Sequence, residues 1–383
     1  MKSEVDADIC ILGIGLSGCS LALALLERGY TGRIVMFDKA ADITAQKTWC
    51  FWDENALPNY LRRLICKRWP SWSIDNGHDS HRLSASSSYM HYCCIKAEDF
   101  YAVALARLNK AKNVALHFNT PAEPSPSDSH RVSAVVGAQR VSARWGVDAR
   151  GVSSNQYKPS LFQCFTGAWV RTESPSFDEH CAQLMSGLKT FERGLEFTYT
   201  LPLDRYTALI EFTRFSSSSE DLALMSQMTK TAIEDQLKDK FTIHSWEQGI
   251  LPMDDKCLES RIENETTWHK IGISAGHIRA STGYAFVNIQ KFCQAAAHSI
   301  VDNQTIQHRA YPKVYEWLDA VFLRVLQQNK TISPALFLKM ADRTDAGQFA
   351  RFMSEKATFG DLMTVIGAMP KRPFLRALWH LNR

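Results

Sequence analysis

Apolar positions along this chain follow two rhythms, and the switch between them outlines the fold. Asp8-Ile-Cys-Ile-Leu12 is a short unbroken apolar run, as expected of a strand buried on both faces. After a glycine-rich turn, Cys19–Arg28 has helical spacing, and Gly29 and Gly32 stop it. Arg33–Phe37 predicts a second strand ending at Asp38, and Ala97–Leu108 a helix. The stretch 119–130, Asn-Thr-Pro-Ala-Glu-Pro-Ser-Pro and onward, predicts a turn-rich surface loop between short strands. Trp145–Gly151 predicts a strand returning to the first unit, with Asp148, Arg150 and Gly151 at its end. Gly167–Arg171, Leu195–Leu201 and Tyr206–Phe215 alternate as half-buried strands do, Ser216–Ser219 is a polar turn, and Asp221–Leu237 predicts a surface helix. A short strand at 269–272 leads to a helix expected from near Thr282, and beyond Gln304 the pattern is helical without repeats.

The apolar stretch Ile9–Leu26 runs 18 residues without a charge, the length of a membrane span. Gly13, Gly15 and Gly18 interrupt it, and Glu4, Asp6 and Asp8 precede it where a signal peptide would carry positive charge, so neither a span nor a signal is expected. Length adds to the picture: 383 residues suit two or three domains at roughly 150 each. A net charge of +4, with 22% charged and 45% hydrophobic residues, fits a soluble globular protein and gives no electrostatic basis for binding nucleic acid. Ten cysteines contain no CxxC pair, and the 12 histidines show no HExxH spacing, so a reducing cytoplasm and no metal are expected.

Gly13-Ile-Gly15-Leu-Ser-Gly18 stands between the first strand and its helix, and Asp38 falls 20 residues past Gly18. That context makes an otherwise weak motif specific for a dinucleotide. Gly13 turns tightly, Gly15 lets backbone N–H groups approach a pyrophosphate at the helix N-terminus, Gly18 admits close helix–strand packing, and Asp38 can take a ribose hydroxyl. Between Gln46 and Trp72 the chain turns aromatic and basic, which suits either a buried wall or the lining of a large apolar ligand site.

Several separated strings together resemble one family, the bacterial lycopene cyclases of the flavin-dependent carotenoid cyclase group. They are Gly13–Gly18, Thr48-Trp-Cys-Phe-Trp52, Tyr199-Thr-Leu-Pro-Leu-Asp204, Ala208-Leu-Ile-Glu-Phe-Thr-Arg-Phe215, Glu247-Gln-Gly-Ile-Leu-Pro-Met253, and Gly272-Ile-Ser-Ala-Gly276 running into Ala280-Ser-Thr-Gly-Tyr-Ala-Phe286. After Glu211, where members carry a second acid or an aromatic, this sequence has Phe212; it departs from the group at His277, where a small residue is expected. The resemblance implies an α/β fold of the flavin monooxygenase type: a Rossmann-like FAD-binding domain, a mixed-sheet substrate domain and a helical C-terminal part. The corresponding division is 1–60, 130–170 and 255–303 for FAD, 61–129 and 171–254 for substrate, and 304–383 for the helical region. It further implies FAD kept reduced by NAD(P)H, with Gly276, Thr282 and Gly283 as a second cofactor contact, a strand-to-helix turn whose bland alternative is purely structural.

The implied reaction closes the acyclic ends of lycopene into rings by delivering a proton, steering a carbocation and removing a proton. The acid must be a carboxyl held protonated by desolvation, and Glu211, with apolar neighbours on both sides, is the residue to which the resemblance also points. The competing reading places Glu211 on a solvent face or paired with Arg205 or Arg214. Trp49, Trp52 and Phe212 are expected to line the pocket, where cation–π attraction is worth on the order of 1–2 kcal/mol each when desolvated; Glu247 is a second carboxylate, either orienting the flavin or structural. A polyene cannot arrive through water, so attachment to the inner membrane's cytoplasmic face is expected. Phe374, Leu375, Leu378 and Trp379 in the basic segment 371–383 suit an interfacial helix or one packed on the core. The alternatives are a cyclase acting on another polyene, a flavin monooxygenase or polyprenyl reductase on the same scaffold, and a nucleotide-binding protein without catalysis. The sequence carries no signal for an oligomeric state.

Overall fold

The structure is a computed structural model that describes residues 4–43, 46–52, 54–85, 90–125, 131–151, 159–254, 268–304, 306 and 312–381. The end of the expected surface loop, 126–130, and residues 382–383 lie outside them. β1 (Glu4–Leu12), α1 (Leu16–Glu27) and β2 (Ile34–Phe37) form the expected strand–turn–helix–strand unit. The helix starts three residues earlier than its periodicity suggested, because the second half of the glycine motif already lies in its first turn. Ile9 and Ile11 face α1, while Cys10 and Leu12 face Val35, Val132 and Ala134, so both faces of β1 are covered and the run is apolar throughout. The charge-free stretch is thus split between strand and helix, and no helix among the described residues is long and apolar enough to cross a membrane.

Three sheets organise the molecule. The small one joins β3 (Thr48–Phe51), β4 (Lys67–Trp69) and β7 (Tyr92–Lys96) in the order β3-β7-β4, with α2 (Asn59–Arg62) in the connection. The second sheet takes β5 (Ser71–Asp75) and β6 (Ser80–Ser84) at one edge. The first sheet runs β8-β2-β1-β11-β10-β9, where β8 is Val114–His117, β9 Ala122–Ser125, β10 Val132–Val136 and β11 Gln139–Asp148; α3 (Ala97–Lys110) precedes β8. β8 and β9 thereby extend the first sheet into the span expected for the substrate domain, and β9 is a strand where a loop was expected.

β12 (Leu161–Thr172), β13 (Cys181–Phe191), β14 (Gly194–Pro202), β15 (Thr207–Ser216) and β16 (Phe241–Met253) complete the second sheet in the order β16-β12-β15-β14-β13-β5-β6. β12 lies wholly in it, although the expected division put most of that strand with the FAD domain. α4 (Leu222–Gln236), capped by Asp221, covers one face through Ile233 against Ala168, Ala208 and Ile210. β17 (Trp268–Lys270) returns to the first sheet parallel to β11, and α5 (Phe286–Val301) packs on α1. α5 begins four residues beyond Thr282, since Arg279 and Tyr284 close a tight loop in which the Arg279 carbonyl accepts the N–H groups of Thr282 and Gly283. α6 (Lys313–Gln328), α7 (Ser333–Arg343), α8 (Ala346–Met353), α9 (Phe359–Ala368) and α10 (Lys371–Leu381) then cover the other face of the second sheet.

The tightest point in the first unit is Gly18. A Cβ there would stand 2.1 Å from the Gly13 carbonyl oxygen, and Gly13 itself turns with φ 100. Gly18→Ala is expected to destabilise the protein by about 1–3 kcal/mol, the usual penalty of overpacking, and to weaken retention of a bound dinucleotide; an unchanged denaturation midpoint in urea would show that the contact relaxes freely.

Candidate functional site

A cavity of about 680 Å³ extends from the glycine turn of β1–α1, across the concave face of the second sheet, to the C-terminal helices. Its floor is set by strand register. β12 runs between β15 and β16, and Gly167 is paired with Glu211 on one side and Glu247 on the other. Tyr199 on β14 pairs with Glu211 from the far side, so one row across the sheet reads Tyr199, Glu211, Gly167, Glu247. Residues opposite one another share a face, and Tyr199, Glu211 and Glu247 all line the cavity. Gly167 contributes no side chain, and the Leu209 and Glu211 side chains close over it, 3.1–3.4 Å from where a Cβ would stand; the two carboxyls thus face the cavity from strands roughly 10 Å apart, twice the normal interstrand spacing.

Both carboxyls are buried. The Thr213 hydroxyl donates to Glu211 Oε1 at 2.6 Å, and the Thr48 hydroxyl donates to Glu247 Oε2 at 2.8 Å. Burial, reinforced by the neighbouring Glu247 charge and only partly offset by Thr213, pushes Glu211 up to about 8. Burial also raises Glu247, to about 7, against the opposing pull of the Thr48 hydrogen bond and Lys47. The causes favour the proton on Glu211: the Glu247 charge adds to its rise, while Thr48 and Lys47 oppose the rise at Glu247. The reading of Glu211 as a surface residue paired with an arginine is set aside: Arg214 on the next face binds Glu196 and Glu220 instead.

Beside Glu211, Tyr92 bridges Tyr199 at 2.6 Å and Tyr284 at 2.9 Å through their hydroxyls. Burial pushes all three phenols above their ordinary value, so they stay neutral. The adjacent wall carries Trp49, stacked on Phe286 at 5.2 Å between ring centres.

At the other end, Gly15 caps α1 without a side-chain hydrogen bond, and a Cβ at Gly15 would meet nothing within 4 Å. Gly15, Leu16 and Ser17 line the cavity, so the helix N-terminus presents backbone donors to open space, an arrangement that fits a pyrophosphate. Asp38 accepts the N–H of Ile14 at 2.7 Å and of Ala40 at 2.9 Å, which ties the second strand to the glycine turn while leaving carboxylate lone pairs for a hydroxyl. Thr282 and Gly283 lie on the facing wall. Gly276 does not; it ends the preceding 3-10 turn with φ 78. His277 explains its own departure from the family pattern: its Nδ1 accepts the Gly272 N–H at 3.1 Å, and its ring packs on Phe292 at 3.8 Å.

Two expected pocket residues lie elsewhere. Phe212 points away from the cavity, against Cys164 and Met225 of the α4 layer, because alternate residues of β15 face opposite sides and Glu211 already takes the inner one. Trp52 is packed in the core with Trp72, Tyr92 and Phe349, behind the cavity wall rather than on it. Of the aromatic segment, only its Trp49 end reaches the ligand space, and Trp69 and Trp72 are core.

Sequence reasoning missed the roof's anchor. Arg279 is fully buried, with its guanidinium 3.4 Å from Asp319 of α6 and its Nη1 donating to the Phe352 carbonyl of α8 at 2.6 Å; Ser281 adds a bond to Asp319 at 2.7 Å. Arg279 stands one residue before the Ala280–Phe286 string, but its partner is 40 residues away and no periodic pattern links the two. Gly167 was missed for a related reason, since its role depends on the register of three strands.

Comparison with known proteins adds the family. The sequence profile of the family described as lycopene cyclase protein matches residues 8–379. A lycopene beta-cyclase of Pantoea ananas is 23% identical over 382 residues, covering 97% of both chains, and one of Paracoccus sp. is 24% identical over 293 residues, covering 73% of this chain and 70% of the relative. Among solved structures, a geranylgeranyl bacteriochlorophyll reductase-like protein of Thermoplasma acidophilum aligns with a TM-score of 0.65 at 12% identity over 99% of both chains. The p-nitrophenol 4-monooxygenase of Pseudomonas putida aligns with 0.59 at 13% identity, over 100% of this chain and 98% of its own. The fold is accordingly the flavin monooxygenase and reductase type that the sequence strings implied.

The raised proton affinity of Glu211 has a stability consequence. The folded state binds more protons than the unfolded state between the ordinary value of 4.5 and about 8, so this carboxyl's contribution to stability is fully present below that window and is lost as pH rises through it. Glu211→Gln is expected to be more stable than the parent at about pH 9 by a few kcal/mol, since each tenfold change in proton affinity is worth about 1.4 kcal/mol, with the gap closing towards about pH 5. Equal gaps at both pH values in equilibrium unfolding would contradict a desolvated Glu211.

Proposed function

Since this chain belongs to the lycopene cyclase family, we propose that it converts the acyclic ψ-ends of lycopene into β-ionone rings, giving γ- and β-carotene, a non-redox isomerisation run with reduced FAD in place and NAD(P)H as reductant. The observation that carries this reading is Glu211: a carboxyl that stays protonated at neutral pH, on the floor of a large apolar cavity. Gly15, at the α1 N-terminus, would face the pyrophosphate of FAD, with Gly13 and Gly18 shaping the turn that brings it there, Asp38 would take a ribose hydroxyl, and Thr282 and Gly283 the facing side of the cofactor, with Gly276 closing the turn before them. When bound, reduced FAD would supply negative charge next to a developing carbocation.

The protein's own residues account for the rest. Thr213 donates to Oε1 of Glu211, which leaves Oε2 to carry the acidic proton into the cavity. A terminal alkene carbon placed there takes that proton, and the resulting cation is closed to a six-membered ring by the neighbouring double bond. Trp49 offers an electron-rich face on the cavity wall. The neutral Tyr92–Tyr199–Tyr284 network supports the floor beside Glu211 without introducing a competing charge. Phe215, Phe337, Phe349 and Leu378 keep the space apolar, which excludes the water that would trap a cation.

Docking on the cytoplasmic face of the inner membrane belongs to the same proposal, and the cavity mouth supports it. Phe359, 79% exposed, stands with Met363 and Ile366 along one face of α9, and Leu375, 64% exposed, stands with Trp379 on α10. Ile366 and Leu375 also line the cavity, while Lys371, Arg372 and Arg376 carry positive charge in α10. The two readings of the terminal helix apply to different faces: Phe374, Ala377 and Leu378 pack inward, Leu375 and Trp379 outward.

Incubated with lycopene in liposomes, FAD and NADPH without oxygen, the protein is expected to yield cyclic carotenes with NADPH use far below one per product. Glu211→Gln should be slower by at least about 100-fold, within the usual range for a lost general acid. One NADPH consumed per turnover would identify a reductase instead. In co-sedimentation with anionic vesicles, the Phe359→Ser, Leu375→Ser, Trp379→Ser triple variant should lose most of its binding while keeping its circular dichroism; a parent protein that stays in the supernatant would refute membrane docking.

A further inference from the structure

Cyclisation ends with a C–H bond giving up its proton, and the acceptor has to reach the ring that has just formed. Glu211 protonates one carbon at the chain end, and the proton is lost from another carbon of the closed ring. The cavity's other groups narrow the choice. The Tyr92, Tyr199 and Tyr284 phenols remain protonated and are weak bases. Asp319 also borders the cavity, but its oxygens are taken by Arg279 and Ser281. Of the carboxylates that line the cavity, Glu247 remains. It shares the Glu211 face of the sheet and is paired with the same side-chain-free Gly167, so it reaches the cavity two strands away from the acid.

Resting on the cyclase reading above, we propose that Glu247 is the catalytic base, accepting the ring proton from its place in the same row of the sheet, on the far side of Gly167 from the acid Glu211. The step balances within the pair. Before reaction, Glu211 is a neutral acid and Glu247 a carboxylate. The Glu211 proton forms the new C–H bond with the electrons of the terminal double bond, the next double bond forms the ring C–C bond, and the electrons of the broken ring C–H bond become the ring double bond as its proton passes to Glu247. Afterwards Glu211 is a carboxylate and Glu247 a neutral acid, with one proton on the pair before and after, carried by the substrate cation in between, and no oxidant or reductant consumed; the resting state returns as that proton redistributes towards Glu211. Thr48, whose hydroxyl donates to Oε2 of Glu247, stabilises the ionised form of that carboxyl before the reaction, as does the Lys47 charge. Glu211 has only Thr213 to offset its burial and faces the Glu247 charge, so the surroundings favour the proton there.

The test compares parent, E247Q and E247D flavoproteins with lycopene in liposomes, reading product identity and the pH profile of the rate. The parent should show a bell, falling below about 7 as the base is protonated and above about 8 as the acid ionises. E247Q should bind FAD stoichiometrically, turn over at least about tenfold more slowly, lose the acidic limb of the bell, and divert cation into hydrated product or a ring with its double bond elsewhere. E247D, which keeps a carboxylate one methylene shorter, should recover the acidic limb and the β-ring product at reduced rate. E247Q with the parent's product ratio and acidic limb would overturn the proposal while leaving the cyclase reading intact. If E247Q fails to bind FAD, E247D decides alone: a lost acidic limb or a diverted product there also overturns it. A parent that makes no cyclic product would remove the cyclase reading and this inference together.

Discussion

The burial of Arg279 is the constraint on which the site depends. A guanidinium with no exposed surface is tolerated only where its donors are met, and here Asp319 of α6, the Phe352 carbonyl of α8 and the Phe352 and Tyr315 rings meet them. The arginine belongs to the turn that carries Thr282 and Gly283, so one ion pair joins the nucleotide side of the molecule to the helices roofing the cavity. Removing one partner of such a pair typically costs about 3–5 kcal/mol. Its larger effect is indirect. Without the roof, water would reach the second sheet, and the desolvation that keeps Glu211 protonated would disappear.

The fold was legible where one local pattern dictates one local structure. The unbroken apolar run before the glycine motif, the helical spacing after it and the acid at Asp38 describe a unit whose parts all lie within forty residues, and β1, α1 and β2 formed as expected. Glu211 was legible because a charged residue between apolar ones in a strand is unusual enough to need an explanation. Phe212 shows the limit. Its type was right for a pocket, but alternation along β15 leaves room for only one of two neighbours on the inner face, and the sequence alone does not say which. Trp52 fails on depth, since aromatic composition is the same for a wall's surface and its interior.

Everything set by long-range register was illegible. Gly167 stands 44 residues from Glu211 and 80 from Glu247, and only the pairing of β12 with both β15 and β16 brings the three into line. The same holds for Arg279 and Asp319, and for the three tyrosines, which come from β7, β14 and the turn before α5. His277 was noticed as a departure and left unexplained because its function is local capping of the Gly272 turn, a contact that needs coordinates to be seen.

The cavity reaches from the glycine turn past Glu211 to α9 and α10, and this bears on how the proposed substrate, with its two reactive ends, would be handled. On the proposed reading there is one Glu211 for two ends, so cyclising the second end would require the molecule to leave and re-enter reversed. The monocyclic species would then be a free intermediate, its steady-state level set by competition between fresh and half-finished molecules for the same cavity.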